Sequence, residues 1–286
     1  MDSRYQLIDA GNFKKLEKIG PYLISRPSLQ AVWNKGLPDQ DWQKVDAKFA
    51  RTSGGDGRWK IINKNMPESW VINVDDIKMV VRLTDFGHTG VFPEHHSLPF
   101  LSKSIRERVS SGKDFKLLNL FAYTGAVSLV GAKAGAKVTH VDASKTSVAW
   151  ARENADVSGL SDKPIRWIVD DVQKFVKREI KRGQKYHGVV LDPPSFGRGP
   201  KGDVWKIEEH LSGLMNDIKS ILAEDFSFLQ LSAHSQGYTP IALRNILSDT
   251  VNLSTGSLNS FEMYIEPDST SKNLPAGACA IFERKN

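Results

Sequence analysis

The pentapeptide Asp192-Pro193-Pro194-Ser195-Phe196 closes an apolar run, and its residue types suit it to holding a nucleophile. Proline cannot donate to a sheet ladder, so two in succession make the chain leave a strand at Asp192 with its backbone pinned. The Asp192 carboxylate and the Pro193 carbonyl then become rigid acceptors, able to orient an amine or a base edge for in-line group transfer. The catalytic gain in such an arrangement is positioning. A rigid loop without chemistry is the alternative reading.

Three further strand ends describe what could lie beside that nucleophile. The segment FAYTGAV runs from an apolar strand into a turn with one glycine, Gly125. A dinucleotide site places several glycines here so that a pyrophosphate can approach the backbone. One glycine flanked by Phe121, Ala122 and Tyr123 argues against a dinucleotide and for S-adenosylmethionine, which carries no phosphate. Asp142 ends the next strand, seventeen positions after Gly125, where a carboxylate accepts hydrogen bonds from ribose hydroxyls. It can equally cap a helix opening at Ser144, and Ala143 and Ser144 complete that edge of the expected pocket. Asp170-Asp171-Val172 ends a third strand. Asp171 is the preferred partner for the adenine amine, with Val172 against the ring, while Asp170 is solvated or capping.

These side chains need a parallel sheet to bring them to one edge. KLLNLFA is a continuous apolar run, as expected of a strand buried on both faces. KVTHVD, IRWIVDD, HGVVLD and FSFLQLSAH read as further strands, and helices fit residues 125–134, 144–157, 172–182, 204–222 and 240–249. FEMYIEP and ACAIFERK lie too close together for a helical crossover and must pair antiparallel. The expected fold class is therefore α/β, a Rossmann-like parallel sheet with a C-terminal antiparallel hairpin, over residues 93–286. The continuation GRGPKGDVW, with Arg198 and Lys201, reads as a mobile basic lip.

Residues 1–92 form a separate, β-rich, substrate-facing region by this reading. Up to residue 57 the chain is irregular, with turn formers at 52–57; RWKIIN, SWVINV and IKMVVRL then follow as short antiparallel strands. Trp33, Trp42, Trp59 and Trp70 are available to stack on unpaired bases. Packing in the core of a small β unit is the expectation for at least half of them. FGHTGVFPEHH reads as a connecting loop.

The chain has 286 residues, 39 Lys and Arg against 33 Asp and Glu, and a formal charge of +6, which favours polyanionic partners by field alone. No apolar run approaches the roughly 20 residues of a membrane span. The opening residues show no signal-type apolar core, so a cytoplasmic protein is expected. Cys279 is the only cysteine, which excludes an intramolecular disulfide and a cysteine-rich metal site. His88, His95 and His96 lack a carboxylate–histidine motif, and no metal is expected.

With these motifs assembled, the chain resembles the S-adenosylmethionine-dependent methyltransferases of the bacterial ribosomal-RNA large-subunit methyltransferase I-like group. The resemblance rests on GVFPEHH, LNLFAYTGAVS, the Asp142 strand end, VDDVQKF, LDPPSFGRG and LPAGACA, from Gly87 onward. It implies S-adenosylmethionine as donor, S-adenosylhomocysteine as product, and RNA, ribosomal RNA foremost, as partner. It places Phe121, Tyr123, Gly125, Asp142, Asp171 and Asp192 around the donor, with Pro193, Pro194 and Ser195 toward the acceptor, and residues 92–96 near the methionine end. Two departures matter: no RNA-binding PUA-type module is recognisable, and the cysteine used for cytosine carbon-5 transfer is missing. The matching strand end reads Leu-Ser-Ala-His-Ser at 231–235. A thiolate is the best side-chain nucleophile at neutral pH. Its absence favours a nitrogen or oxygen acceptor, with His234 as a base, a holder of the target, or a loop histidine bonded at a strand end. Methylation of a protein or metabolite, and a silent RNA-binding protein, are the alternatives.

Overall fold

The computed structural model describes residues 3–51, 57–95, 97–199, 202–268 and 272–285; His96, Lys201 and the 52–56 part of the expected turn lie outside them. The chain divides into two compact units. One comprises Met1–His95 with Tyr264–Ala276, the other His96–Met263 with Gly277–Asn286.

The first unit holds a five-stranded sheet of β1 (Tyr5–Gly11), β2 (Lys14–Ile19), β3 (Tyr22–Pro27), β4 (Ala47–Arg51) and β5 (Gly57–Ile61), in that order. A short helix α1 (Asp39–Gln43) precedes β4, and β6 (Ser69–Val74) and β7 (Ile77–Arg82) form a separate antiparallel pair. Four strands before residue 57 correct the expectation of irregular chain. They were hidden because their order depends on buried polar groups instead of apolar alternation. Glu17 on β2 is fully buried and accepts two hydrogen bonds from Arg26 on β3, at 2.6 and 2.7 Å. That guanidinium holds the Glu17 carboxyl down at about 2 against the opposing effect of burial. Asp9 accepts from the backbone N–H groups of Gly36 and Leu37 and from the Trp42 indole at 3.0 Å. All four tryptophans donate to the protein: Trp33 to the Ala10 carbonyl, Trp42 to Asp9, Trp59 to Thr84 and Trp70 to Ile19. Trp42 and Trp70 are buried, Trp33 and Trp59 half-buried.

The second unit opens with α2 (Leu98–Ser110), a helix the sequence reading omitted, and continues β8 (Lys116–Leu120), α3 (Ala126–Lys133), β9 (Lys137–Asp142), α4 (Lys145–Val157), β10 (Ile165–Val169) and α5 (Val172–Lys181). Then come β11 (Gly188–Leu191), β12 (Phe196–Arg198), β13 (Val204–Lys206), α6 (Ile207–Lys219), β14 (Phe228–Ala233), α7 (Pro240–Thr250), β15 (Gly256–Ile265) and β16 (Leu274–Arg284). Seven strands form one sheet in the order β10-β9-β8-β11-β14-β16-β15. The first five run parallel and β16 runs antiparallel to β14. Strand order reverses between β8 and β11, so their C-terminal ends part and leave the crevice where such sheets bind ligands.

Period-2 alternation divides the core between the two faces. Leu118, Leu120 and Leu191 pack with Phe175, Leu214 and Leu243 of α5, α6 and α7. Leu117, Val138 and Val190 pack with Leu101, Ile105 and Ala132 of α2 and α3. Residues 204–206, expected at the start of a helix, instead pair with β12 as a hairpin. Their β-branched and aromatic side chains suit a strand, and tertiary pairing overrides the helical continuation. No helix among the described residues is long and apolar enough to cross a membrane.

Candidate active site

The turn after β8 departs from ordinary backbone in three places. Phe121 and Tyr123 have φ of +55° and +46°, and Gly125, which opens α3, has φ of +90°. Left-handed conformations at two non-glycine residues cost on the order of 1 kcal/mol or more each and persist where the surroundings over-determine them. The surroundings here are specific. Asn154, fully buried on α4, donates to the Thr124 carbonyl at 2.9 Å. The Tyr123 N–H donates to Asp142 Oδ2 at 2.8 Å, and the Ala122 N–H to the Val141 carbonyl at 3.1 Å.

Asp142 is thereby locked to the turn it was expected to share. Its Oδ1 accepts from the Ser144 N–H at 2.8 Å, so one backbone donor stands on each side of the carboxylate. Burial pushes its carboxyl above the ordinary value, and the two N–H groups pull it back. Ser144 caps α4, its hydroxyl accepting from the Ser147 N–H at 3.1 Å, with Ala143 half-buried between them. Each Asp142 oxygen accepts from one backbone N–H, Oδ2 from Tyr123 and Oδ1 from Ser144, and has lone pairs for more, which suits a ligand carrying vicinal hydroxyls.

Beneath the turn lies a polar chain that the sequence reading passed over. Asn119 donates to Ser128 at 2.9 Å, and the Ser128 hydroxyl meets His140 Nδ1 at 3.0 Å. His140 is fully buried, and burial, with Arg152 adding to it, holds its imidazole down to about 3. It is neutral and structural, joining β8, β9 and α3. Asn154 left a signal, since it lies on the apolar stripe of α4 with Ser147, Val148 and Ala151.

At the end of β10, Asp170 and Asp171 separate in role. Asp170 pairs with Arg178 and also accepts from the Asp171 N–H at 2.9 Å. Asp171 caps α5, accepting from the Lys174 N–H at 2.9 Å. The Val172 side chain is only 3 % exposed and packs in the core.

The β11 end supplies a second cluster. Asp192 Oδ1 accepts from the Ser232 hydroxyl at 2.8 Å and lies 3.2 Å from His234 Nδ1. Ser232 and His234 come from the end of β14, the strand beside β11, so parallel pairing itself brings these groups together. Pro193 is buried and Pro194 and Ser195 are exposed. The carbonyls of Pro194 and Ser195 are engaged, accepting from the Trp205 indole at 2.8 Å and the Ile207 N–H at 3.0 Å. Trp205 is buried against Phe121, ring centroids 4.8 Å apart, which ties the β11 end to the turn after β8. Cys279 on β16 stands opposite Ser232 and is 1 % exposed. Burial, reinforced by the charge of Asp192, pushes its thiol up to about 12. No thiolate forms there at neutral pH.

The donor set fits S-adenosylmethionine. A doubly anchored carboxylate, a one-glycine turn without a phosphate cradle, and a capping Asp171 at the next strand end suit a nucleoside joined to an amino acid. No family model matches the sequence. A ribosomal RNA large subunit methyltransferase K/L from Alteromonas mediterranea is 32 % identical over 227 residues, 79 % of this chain and 29 % of that protein. Its counterpart from Pseudoalteromonas translucida is 30 % identical over 76 % of this chain and 30 % of its own length. The chain thus spans under a third of the length of these curated relatives. The crystal structure of a SAM-dependent methyltransferase from Agrobacterium tumefaciens superposes with a TM-score of 0.94 at 36 % identity, covering 100 % of this chain and 92 % of that one. With the strand order, the anchored Asp142 and that full-length likeness in agreement, the chain belongs to the class I S-adenosylmethionine-dependent methyltransferases, enzymes whose methyl donor is S-adenosylmethionine.

Proposed function

We propose that this enzyme methylates RNA, ribosomal RNA foremost, at a nitrogen or oxygen atom. The observation that carries the reading is the β11 end, where Asp192 is oriented by Ser232 and paired with His234 while the one cysteine is buried with its thiol pushed up to about 12. Such a site can hold an N–H or O–H acceptor and has no group for covalent addition to a pyrimidine ring. The RNA substrate is supported by the names of the curated relatives, ribosomal RNA large subunit methyltransferases K/L, and by the +6 charge.

Bound in the crevice, S-adenosylmethionine supplies an electrophilic methyl on a sulfonium. Asp142 accepts from the ribose hydroxyls, with Ala143 and Ser144 forming the wall beyond it. Phe121, Ala122, Tyr123 and Gly125 surround the amino-acid end, and Asp171, with the backbone at Val172, serves the adenine edge. Asp192 orients the acceptor by accepting its hydrogen, between Pro193, Pro194 and Ser195. The proton the acceptor loses passes to the Asp192–His234 pair. Residues 1–92 take part in substrate recognition.

Transfer of labelled methyl to ribosomal subunits, naked ribosomal RNA, transfer RNA and cell protein tests the reading. Label in one RNA fraction, lost in Asp192→Ala, is the expected outcome. Label confined to protein or metabolites, or RNA binding without turnover, overturns it.

A further inference from the structure

The β12–β13 hairpin follows Ser195 directly, and its register gives it two unlike faces. Phe196 pairs with Lys206, Gly197 with Trp205, and Arg198 with Val204. In a two-stranded ribbon, opposed residues share a face and successive residues alternate. Trp205 therefore turns inward with Gly197, and it is the pinned side: 5 % exposed, packed on Phe121, bonded to the Pro194 carbonyl. Phe196, Arg198, Val204 and Lys206 share the outward face.

That outward face is apolar and cationic together. Phe196 is 52 % exposed and Val204 44 %. The Arg198 guanidinium lies 6.0 Å from the centre of the Phe196 ring, and Arg198 has no carboxylate partner among the described residues. The neighbouring acids are already engaged. Asp203 pairs with Lys174 at 2.6 Å, and Glu209 with Lys206 at 2.7 Å across an exposed contact that a phosphate can displace. Scattered exposed apolar residues need no explanation. A ring and an aliphatic side chain set next to a guanidinium that no described carboxylate pairs with, on a support anchored by Trp205 just past Ser195, do.

We infer that this face is a stacking platform for an unpaired base next to the methylated nucleotide. Phe196 supplies the ring, and Arg198 and Lys206 hold the adjoining phosphates; the inference rests on the RNA reading above. The faces of bases in a duplex are hidden by stacking, so one exposed ring selects single-stranded or looped RNA. The Trp205 anchor orders the platform before RNA arrives, which lowers the entropy lost on binding.

The probe is a single-stranded RNA oligonucleotide carrying 2-aminopurine, whose fluorescence is quenched when the base stacks, titrated onto the enzyme with S-adenosylhomocysteine present. Wild type should quench it. Phe196→Ala should remove the quench and weaken binding by on the order of ten-fold. Phe196→Trp should keep both, and Arg198→Gln should weaken binding and flatten its salt dependence. Donor affinity, measured by calorimetry, should hold in every variant. Absence of a quench in wild type, unchanged binding by Phe196→Ala, or equal affinity for a duplex of the same sequence overturns the platform. Should Phe196→Ala also lose donor affinity, Phe196→Trp decides: a retained quench supports the platform and a lost one refutes it. Methyl transfer by the same preparation separates the two ideas. RNA labelled equally by wild type and the Phe196 and Arg198 variants refutes the platform alone, whereas label found only in protein refutes the RNA reading itself.

Discussion

The edge proposed for the donor and the edge proposed for the acceptor are built by opposite means. Around residues 121–144 a set of backbone and largely buried side-chain groups answer one another: Tyr123 and Ser144 on Asp142, Asn154 on Thr124, Asn119 and Ser128 under His140. Around residues 192–206 the inner layer is fixed by Trp205 and Ser232, while Phe196, Arg198 and Val204 are left in solvent. A ligand that never changes is met by geometry fixed in advance, including two strained non-glycine residues. The RNA substrate we propose would be met by side chains that spend the free state exposed. On that assignment, binding and transfer should be separable by mutation.

Asp192→Ala tests that separation most severely. Transfer in a single turnover should fall on the order of a hundred-fold or more, because positioning is lost. Donor affinity measured by calorimetry should stay within about two-fold, since the ribose contact is proposed at Asp142. Loss of both together would show the two edges to be one unit. Asp142→Ala should do the reverse. Hydrogen bonds to a charged group contribute about 1.5–3 kcal/mol, so the donor Kd should rise roughly ten- to hundred-fold. The rate at saturating donor should change little.

Asn154→Leu acts further from either ligand. It leaves the buried Thr124 carbonyl without this donor and should cost about 1–3 kcal/mol in chemical denaturation, with a smaller rise in the KM for donor. The smallest effect is a pH dependence confined to the donor edge. His140 is held down to about 3 in the fold against 6.5 in its ordinary state, so the unfolded chain binds the extra proton first. Its contribution to stability is complete above 6.5 and lost as pH falls toward 3, at up to about 1.4 kcal/mol per pH unit. Urea midpoints measured between pH 7 and about 5 should decline less steeply for His140→Gln than for wild type. Parallel slopes would remove His140 from the account of the donor edge.

The parallel half of the molecule was legible because strands buried on both faces are continuous apolar runs. KLLNLFA, KVTHVD and HGVVLD each announce a strand, β8, β9 and β11, and end at the residues proposed for the site. The first unit was not legible before residue 57, because KKLEKI has the composition of a solvated surface until Arg26 is placed against Glu17. No local pattern encodes that pair. Helix α2 carried a readable stripe, Leu98, Leu101 and Ile105, obscured by Pro99 and the loop before it. The anchoring of Trp205 on Phe121 and the Pro194 carbonyl was not legible, because the glycines of the expected lip give no sign of it. The cluster of Asp192, Ser232 and His234 was half visible, since chain order does not say that β14 lies beside β11.

The division of the chain into units has a consequence for how it is made. Leu7, Ala10 and Ala31 share their apolar cluster with Ile265 and Leu274, which are translated more than 200 residues later. A ribosome adding about 5–20 residues per second reaches Leu274 more than ten seconds after the first thirty residues have emerged. The first unit must wait through that interval with one side of its core unfilled, open to chaperones and proteases. A gene cut at the boundary after His95 would deliver a fragment that is missing part of its own interior.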